Sequence, residues 1–87
     1  MSAARLTLLS KPGCHLCDTA RDVITEVIRE LGPAASVTVE ELSILDDPDV
    51  NARYWDEIPV ILVNDSVHTI WRVDPARLTT ALLEATA

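Results

Sequence analysis

Eighty-seven residues are enough for one domain with a single core, 1-87, and not for a second. An apolar content of 48% with only two glycines excludes a low-complexity or disordered chain, and a net charge of −7 speaks against nucleic acid or an anionic membrane surface as partner. No apolar stretch approaches the ~20 residues that span a bilayer, and Met1 to Arg5 lacks the charged and apolar regions of an export signal. A cytoplasmic, reducing setting is therefore expected, where a cysteine pair serves catalysis or metal binding more often than it staples a fold.

Arg5 to Leu9 is rich in Leu and Thr and reads as a strand, followed by a turn at Ser10 to Gly13 that Pro12-Gly13 punctuates. From Leu16 the apolar positions Leu16, Ala20, Val23, Ile24, Val27, Ile28 and Leu31 recur at helical spacing, and Gly32-Pro33 ends the run. Four of these are β-branched and form helices only moderately well, so packing has to hold this one. Ser36 to Leu42 reads as a second strand, with Val37 and Val39 alternating against Thr38 and Glu40; the doubled Glu40-Glu41 blurs the end of the pattern. Asp46 to Trp55 carries no long apolar stripe and reads as a short helix or irregular crossover with Asp46 or Asp47 as its cap.

Pro59 to Val63 is a continuous apolar run suited to a strand buried on both faces. Asn64-Asp65-Ser66 is a tight turn, and Val67 to Trp71 alternates, which makes a β-hairpin. His68 in that alternation is expected to be exposed. Asp74-Pro75 starts a last helix with an acid at the cap and proline at the first position, and Leu78, Leu82 and Ala85 mark its buried face. The order is β-α-β-α-β-β-α, an α/β domain in which the early crossover implies a parallel strand pair and the hairpin an antiparallel one.

The only two cysteines stand two residues apart in Lys11-Pro12-Gly13-Cys14-His15-Leu16-Cys17-Asp18, between the first strand and the first helix. Thiols at that spacing close and reopen a small disulfide, and a helix N-terminus favours the thiolate of the first. His15 when protonated, and Lys11, add positive charge beside it; Asp18 and the acidic background oppose them. Two other readings of the pair are inert thiols and half of a metal site shared between subunits. A zinc site needs four ligands, and His15 lies awkwardly between the two thiols for joint ligation. No resident metal is expected.

The element order, the C-x-x-C after the first strand, and Ile58-Pro59 before the third strand together resemble the thioredoxin fold, a four-stranded mixed sheet flanked by helices. Lys11-Pro12-Gly13-Cys14 and the string Cys-His-Leu-Cys-Asp look most like small glutaredoxin-like proteins, over nearly the whole chain. The resemblance implies that Cys14 is the exposed nucleophile, Cys17 the buried resolving thiol, and Pro59 a cis-proline that aligns a substrate strand with Ile58. Lys11 matches a position that contacts a glutathione carboxylate, and Asp74 an acid near the same ligand. Trp71-Arg72 stand where glutathione-binding members carry a glycine pair; Trp71 is read as a packing residue, with lining or filling that groove as the rival role.

Together these point to a monomeric thiol–disulfide oxidoreductase with a Cys14/Cys17 dithiol mechanism. It holds no bound cofactor, uses glutathione as a candidate co-substrate, and acts on a disulfide-containing protein or a small thiol. The alternative is a non-enzymatic module that binds a protein or thiol ligand in the same groove, with a metal on the cysteines as one form of it.

Overall fold

The computed structural model describes residues 3–87. Its elements follow the expected order: β1 (Ala4–Ser10), α1 (His15–Leu31), β2 (Val37–Ser43), α2 (Pro48–Tyr54), β3 (Val60–Val63), β4 (Ser66–Ile70) and α3 (Pro75–Ala85). Short 3₁₀ turns at Gly32–Ala34 and Ile44–Asp46 lead into β2 and α2. The four strands form one mixed sheet in the order β2-β1-β3-β4. β1 runs parallel to β2 and antiparallel to β3, and β3 runs antiparallel to β4.

The core divides at the sheet. On one face Leu6, Leu8 and Ile61 pack against Ala20, Ile24, Val27 and Leu31 of α1 and against Leu78 and Leu82 of α3. On the other face Leu9 and Val60 pack with Ile44, Ile58 and the buried Cys17, and Val50 and Tyr54 of α2 close the cluster from outside. β1 lies between two neighbours with both faces covered, which is why its sequence is apolar without strict alternation. β2 is an edge strand and mostly exposed, Val39 and Leu42 included, so the alternation of its valines does not translate into burial. Leu16, expected on the buried stripe of α1, is 49% exposed. It occupies the first turn of the helix and borders an open cleft with Trp71 and Val73.

Each remaining boundary has a local cause. Asp47, not Asp46, caps α2, its Oδ1 accepting from the backbone N–H of Asp49 (2.9 Å) and Val50 (3.4 Å). The hairpin turn is Asn64-Asp65 alone, both residues at positive φ (50° and 69°), and Ser66 already belongs to β4. This turn is fastened to β1: the Arg5 backbone N–H donates to Asn64 Oδ1 (2.9 Å), the Asn64 N–H to the Arg5 carbonyl (2.8 Å), and the Arg5 guanidinium pairs with Asp65. β4 ends at Ile70, so Trp71 leaves the strand pattern predicted for it.

His68 is half-buried rather than exposed, since α3 lies over it and Arg77 stands close by. Its Nε2 is buried without a hydrogen-bond partner among the described residues. Burial, and secondarily the Arg77 charge, push its pKa below the ordinary value of 6.5.

The core sets the largest mutational effect. Leu82 is fully buried, so Leu82→Ala should lower unfolding free energy in urea by about 2–5 kcal/mol. Leu45→Ala, at an exposed site, should change it by less than ~0.5 kcal/mol. Equal effects would contradict the assigned core.

Candidate active site

The site begins where β1 hands the chain to α1. Ser10 ends the strand, Gly13 turns the backbone at φ 78°, a region that L side chains rarely adopt, and Cys14 becomes the N-cap of α1 in an extended conformation. The Cys14 Sγ accepts from the Cys17 backbone N–H at 3.2 Å, the role an Ser or Asp oxygen usually plays at a helix start. The same sulfur is joined to Cys17 in a disulfide. The two partners differ in access: Cys17 is buried in the core cluster of Ile44, Ile58 and Val60, whereas Cys14 is half-buried at its edge.

The Ile58–Pro59 peptide bond is cis. Both residues are buried, and Ile58 packs in the cluster that holds Cys17, so the fold brings this loop and the cysteine pair together from 40 residues apart. Trp71 joins them from the third side. Its backbone N–H donates to the Pro59 carbonyl (2.8 Å) and its indole Nε1–H to the Asp56 carbonyl (3.0 Å). Its φ is 67°, a left-handed conformation that costs a non-glycine residue about 1–2 kcal/mol, which the two hydrogen bonds offset. The ring stays half-exposed.

Lys11 and His15 are exposed on either side of Cys14. Lys11 borders a polar cleft shared with Asp18, Arg21, Glu41 and Asp46. Asp74 lines a neighbouring cleft with Trp71 and Arg72, and its Oδ1 caps α3, accepting from the N–H of Ala76 (2.9 Å) and Arg77 (3.4 Å). The fold thus groups Cys14, Cys17 and Ile58 in one cluster, with Pro59 next in the chain and hydrogen-bonded to Trp71, Lys11 and His15 exposed beside Cys14, and Asp74 at the start of α3.

One cluster beside the site went unread in the sequence. Glu41 accepts from Ser10 Oγ (2.8 Å) and from Arg21 Nε and Nη2 (2.8 and 2.7 Å), and Arg21 Nη1 also donates to Asp18 (2.8 Å). A single carboxylate therefore ties the end of β1, the edge strand β2 and the first turns of α1 together, and Arg21 neutralises two acids near the disulfide. The signal was present in the doubled Glu40-Glu41, whose second member interrupts the strand alternation in order to face α1. The Arg21 and Ser10 hydrogen bonds hold the Glu41 carboxyl below its ordinary value of 4.5.

The chain from residue 5 to residue 83 matches the family model described as Glutaredoxin-like domain (DUF836). The chain belongs to this glutaredoxin-like family. An uncharacterized protein of Mycobacterium tuberculosis (strain ATCC 25618 / H37Rv) is 29% identical over 87 residues, covering 99% of this chain and 90% of its own. Among solved structures, a structural-genomics target from X. campestris is 27% identical with a TM-score of 0.70, over 88% of this chain and 93% of that one. Chloroplastic thioredoxin z superposes with a TM-score of 0.72 at 13% identity, over 95% of this chain and 78% of that one. The likeness to thioredoxin z concerns the fold, which is the thioredoxin fold. No helix among the described residues is long and apolar enough to cross a membrane.

The Glu41 cluster carries a pH signature. A lowered folded pKa means stability that is present above the unfolded value near 4.5 and lost as the pH falls through the folded value beneath it. Glu41→Gln should therefore cost about 0.5–1 kcal/mol at pH 7, modest because the pair is solvent-screened, and the gap to wild type should narrow in urea melts as the pH falls from 7 to 3. A gap that persists unchanged at pH 3 would contradict the ion-pair account.

Proposed function

We propose that this glutaredoxin-like domain is a thiol–disulfide oxidoreductase that works through both cysteines. The observation that carries the reading is the unequal pair: a nucleophile-type sulfur at the accessible end of a helix, bonded to a second sulfur that only the first can reach.

In the reduced protein the Cys17 N–H and the positive end of α1 favour an anion at Cys14 Sγ. That thiolate attacks one sulfur of a substrate disulfide. The S–S bond breaks, a mixed disulfide to Cys14 forms, and the departing thiolate takes a proton from solvent. Cys17 then attacks Cys14 Sγ, releases the second substrate thiol and leaves the Cys14–Cys17 disulfide, two electrons having passed to the substrate. Burial of Cys17 keeps it from capturing substrate itself and reserves it for the second step. His15 and Lys11 supply cationic surroundings for the thiolate, and Ile58-Pro59 supplies the wall against which the substrate chain lies.

Glutathione is a candidate co-substrate in this reading, as the regenerating thiol or as a mixed disulfide. The protein acts as a monomer in a reducing compartment such as the cytoplasm, where a second reductant restores the dithiol.

Replacing Cys14 with Ser should lower the exchange rate at least 100-fold, whereas Cys17→Ser should retain the first step and accumulate a mixed disulfide visible by intact mass. An adduct on the Cys14→Ser protein would reverse the two roles. Full exchange activity in that variant would instead leave the domain as a binding module whose cysteines are incidental.

A further inference from the structure

Beside the disulfide lies a cleft of about 210 Å³ bordered by Leu16, Val23, Trp71 and Val73, with Arg72 at its rim. Leu16 comes from between the two cysteines and Trp71 from the far side of the groove, and these walls are 49% and 52% exposed respectively. Exposed apolar side chains scattered over a surface mean little, but these two border one concavity next to the reactive sulfurs. Trp71 is also pinned, backbone to Pro59 and indole to Asp56, so its bare face is fixed before any partner arrives. A rigid aromatic wall loses little freedom on binding and is the kind of surface on which an apolar side chain docks well.

The lining narrows the occupant. It is apolar along Leu16, Val23, Trp71 and Val73, with the cation Arg72 at its rim. Each half of glutathione disulfide carries two carboxylates and one ammonium, with no apolar side chain to fill the cleft. It therefore gains little from the apolar wall that Leu16 and Trp71 present.

Resting on the exchange reading above, we propose that Trp71 is a specificity residue and that the Leu16–Trp71 cleft seats an apolar side chain adjoining the half-cystine of a polypeptide substrate. The preferred substrate is a polypeptide disulfide with apolar flanks, and glutathione disulfide is a poor one. Cys14 thiolate attacks the half-cystine sulfur, the polypeptide disulfide is reduced to two thiols, and the Cys14–Cys17 dithiol is oxidised in its place.

The test uses reduced protein, freed of reductant, in single turnovers quenched with an alkylating agent and read by intact mass. Three oxidants are compared: the disulfide dimers of acetyl-Lys-Leu-Cys-Leu-Lys-amide and acetyl-Lys-Ser-Cys-Ser-Lys-amide, which match in charge, and glutathione disulfide. Wild type should react with the leucine peptide about tenfold faster than with the serine peptide, at the low end of what one apolar contact gives, and more slowly still with glutathione disulfide. Trp71→Gly suits the backbone at this φ and should cut the leucine-over-serine ratio to below about threefold by slowing the leucine peptide. Trp71→Phe keeps the apolar wall and should keep most of the preference, with far-UV circular dichroism reporting the fold of both variants.

A wild type that reacts with all three oxidants without preference, or a preference that survives Trp71→Gly, overturns this inference and leaves dithiol exchange standing. A wild type that reacts with none of them faster than a free cysteine peptide overturns the exchange reading, and this inference with it.

Discussion

One sulfur closes the helix and stands at the centre of the site. Cys14 Sγ accepts the Cys17 N–H, so the start of α1 is built from the atom to which the exchange chemistry is assigned. This couples fold to chemistry at a single point. The strand end, the Gly13 turn and the helix axis all have to converge for the cap to form, and once they do the sulfur is aimed along the helix dipole and into the groove. Sulfur accepts a neutral hydrogen bond weakly, but as a thiolate it accepts a charge-assisted one. The cap is therefore better satisfied in the ionised, reactive state than in the protonated one, and helix formation and thiol activation draw on the same bond.

What holds that convergence is the Ser10–Glu41–Arg21–Asp18 network. An exposed ion pair contributes little to stability, and nothing here requires this one to do more. Its placement matters for geometry: a bidentate guanidinium links α1 to β2, and the Ser10 hydroxyl links the last residue of β1 to the same carboxylate. It also gives the acidic surface a structure of its own. Asp18 and Glu41 would oppose a thiolate if left bare, and Arg21 offsets both without adding a free cation to the groove.

The fold was legible because it depends on patterns that sequence displays directly. The 3.6 spacing of α1, the proline and acid at the start of α3 and the continuous apolar run of Pro59 to Val63 each point to one element. The cysteine pair was legible because two thiols at that spacing have few other uses. Edge effects were not. Val39 alternates correctly and is exposed, because burial depends on whether a helix covers that part of the sheet, and Leu16 fits the helical stripe but borders an open cleft. His68 was misread in the opposite sense, since an edge strand is covered where α3 happens to cross it. Asp74 is the helix cap that the Asp-Pro pair signals, its Oδ1 bonded to two backbone N–H groups of α3.

Trp71 joins these threads. A bulky residue in the left-handed region signals that the surroundings fix what the residue alone would avoid, and here the Pro59 and Asp56 carbonyls do so. Glycine would reach this backbone without strain and would leave an open groove, so the indole is not there to serve the turn. Nor is it there chiefly for the core, since half of it faces solvent. What distinguishes the tryptophan is the apolar face it presents beside Leu16 at the mouth of a cleft with Arg72 at its rim. Its strained backbone therefore holds a rigid apolar wall at the mouth of that cleft.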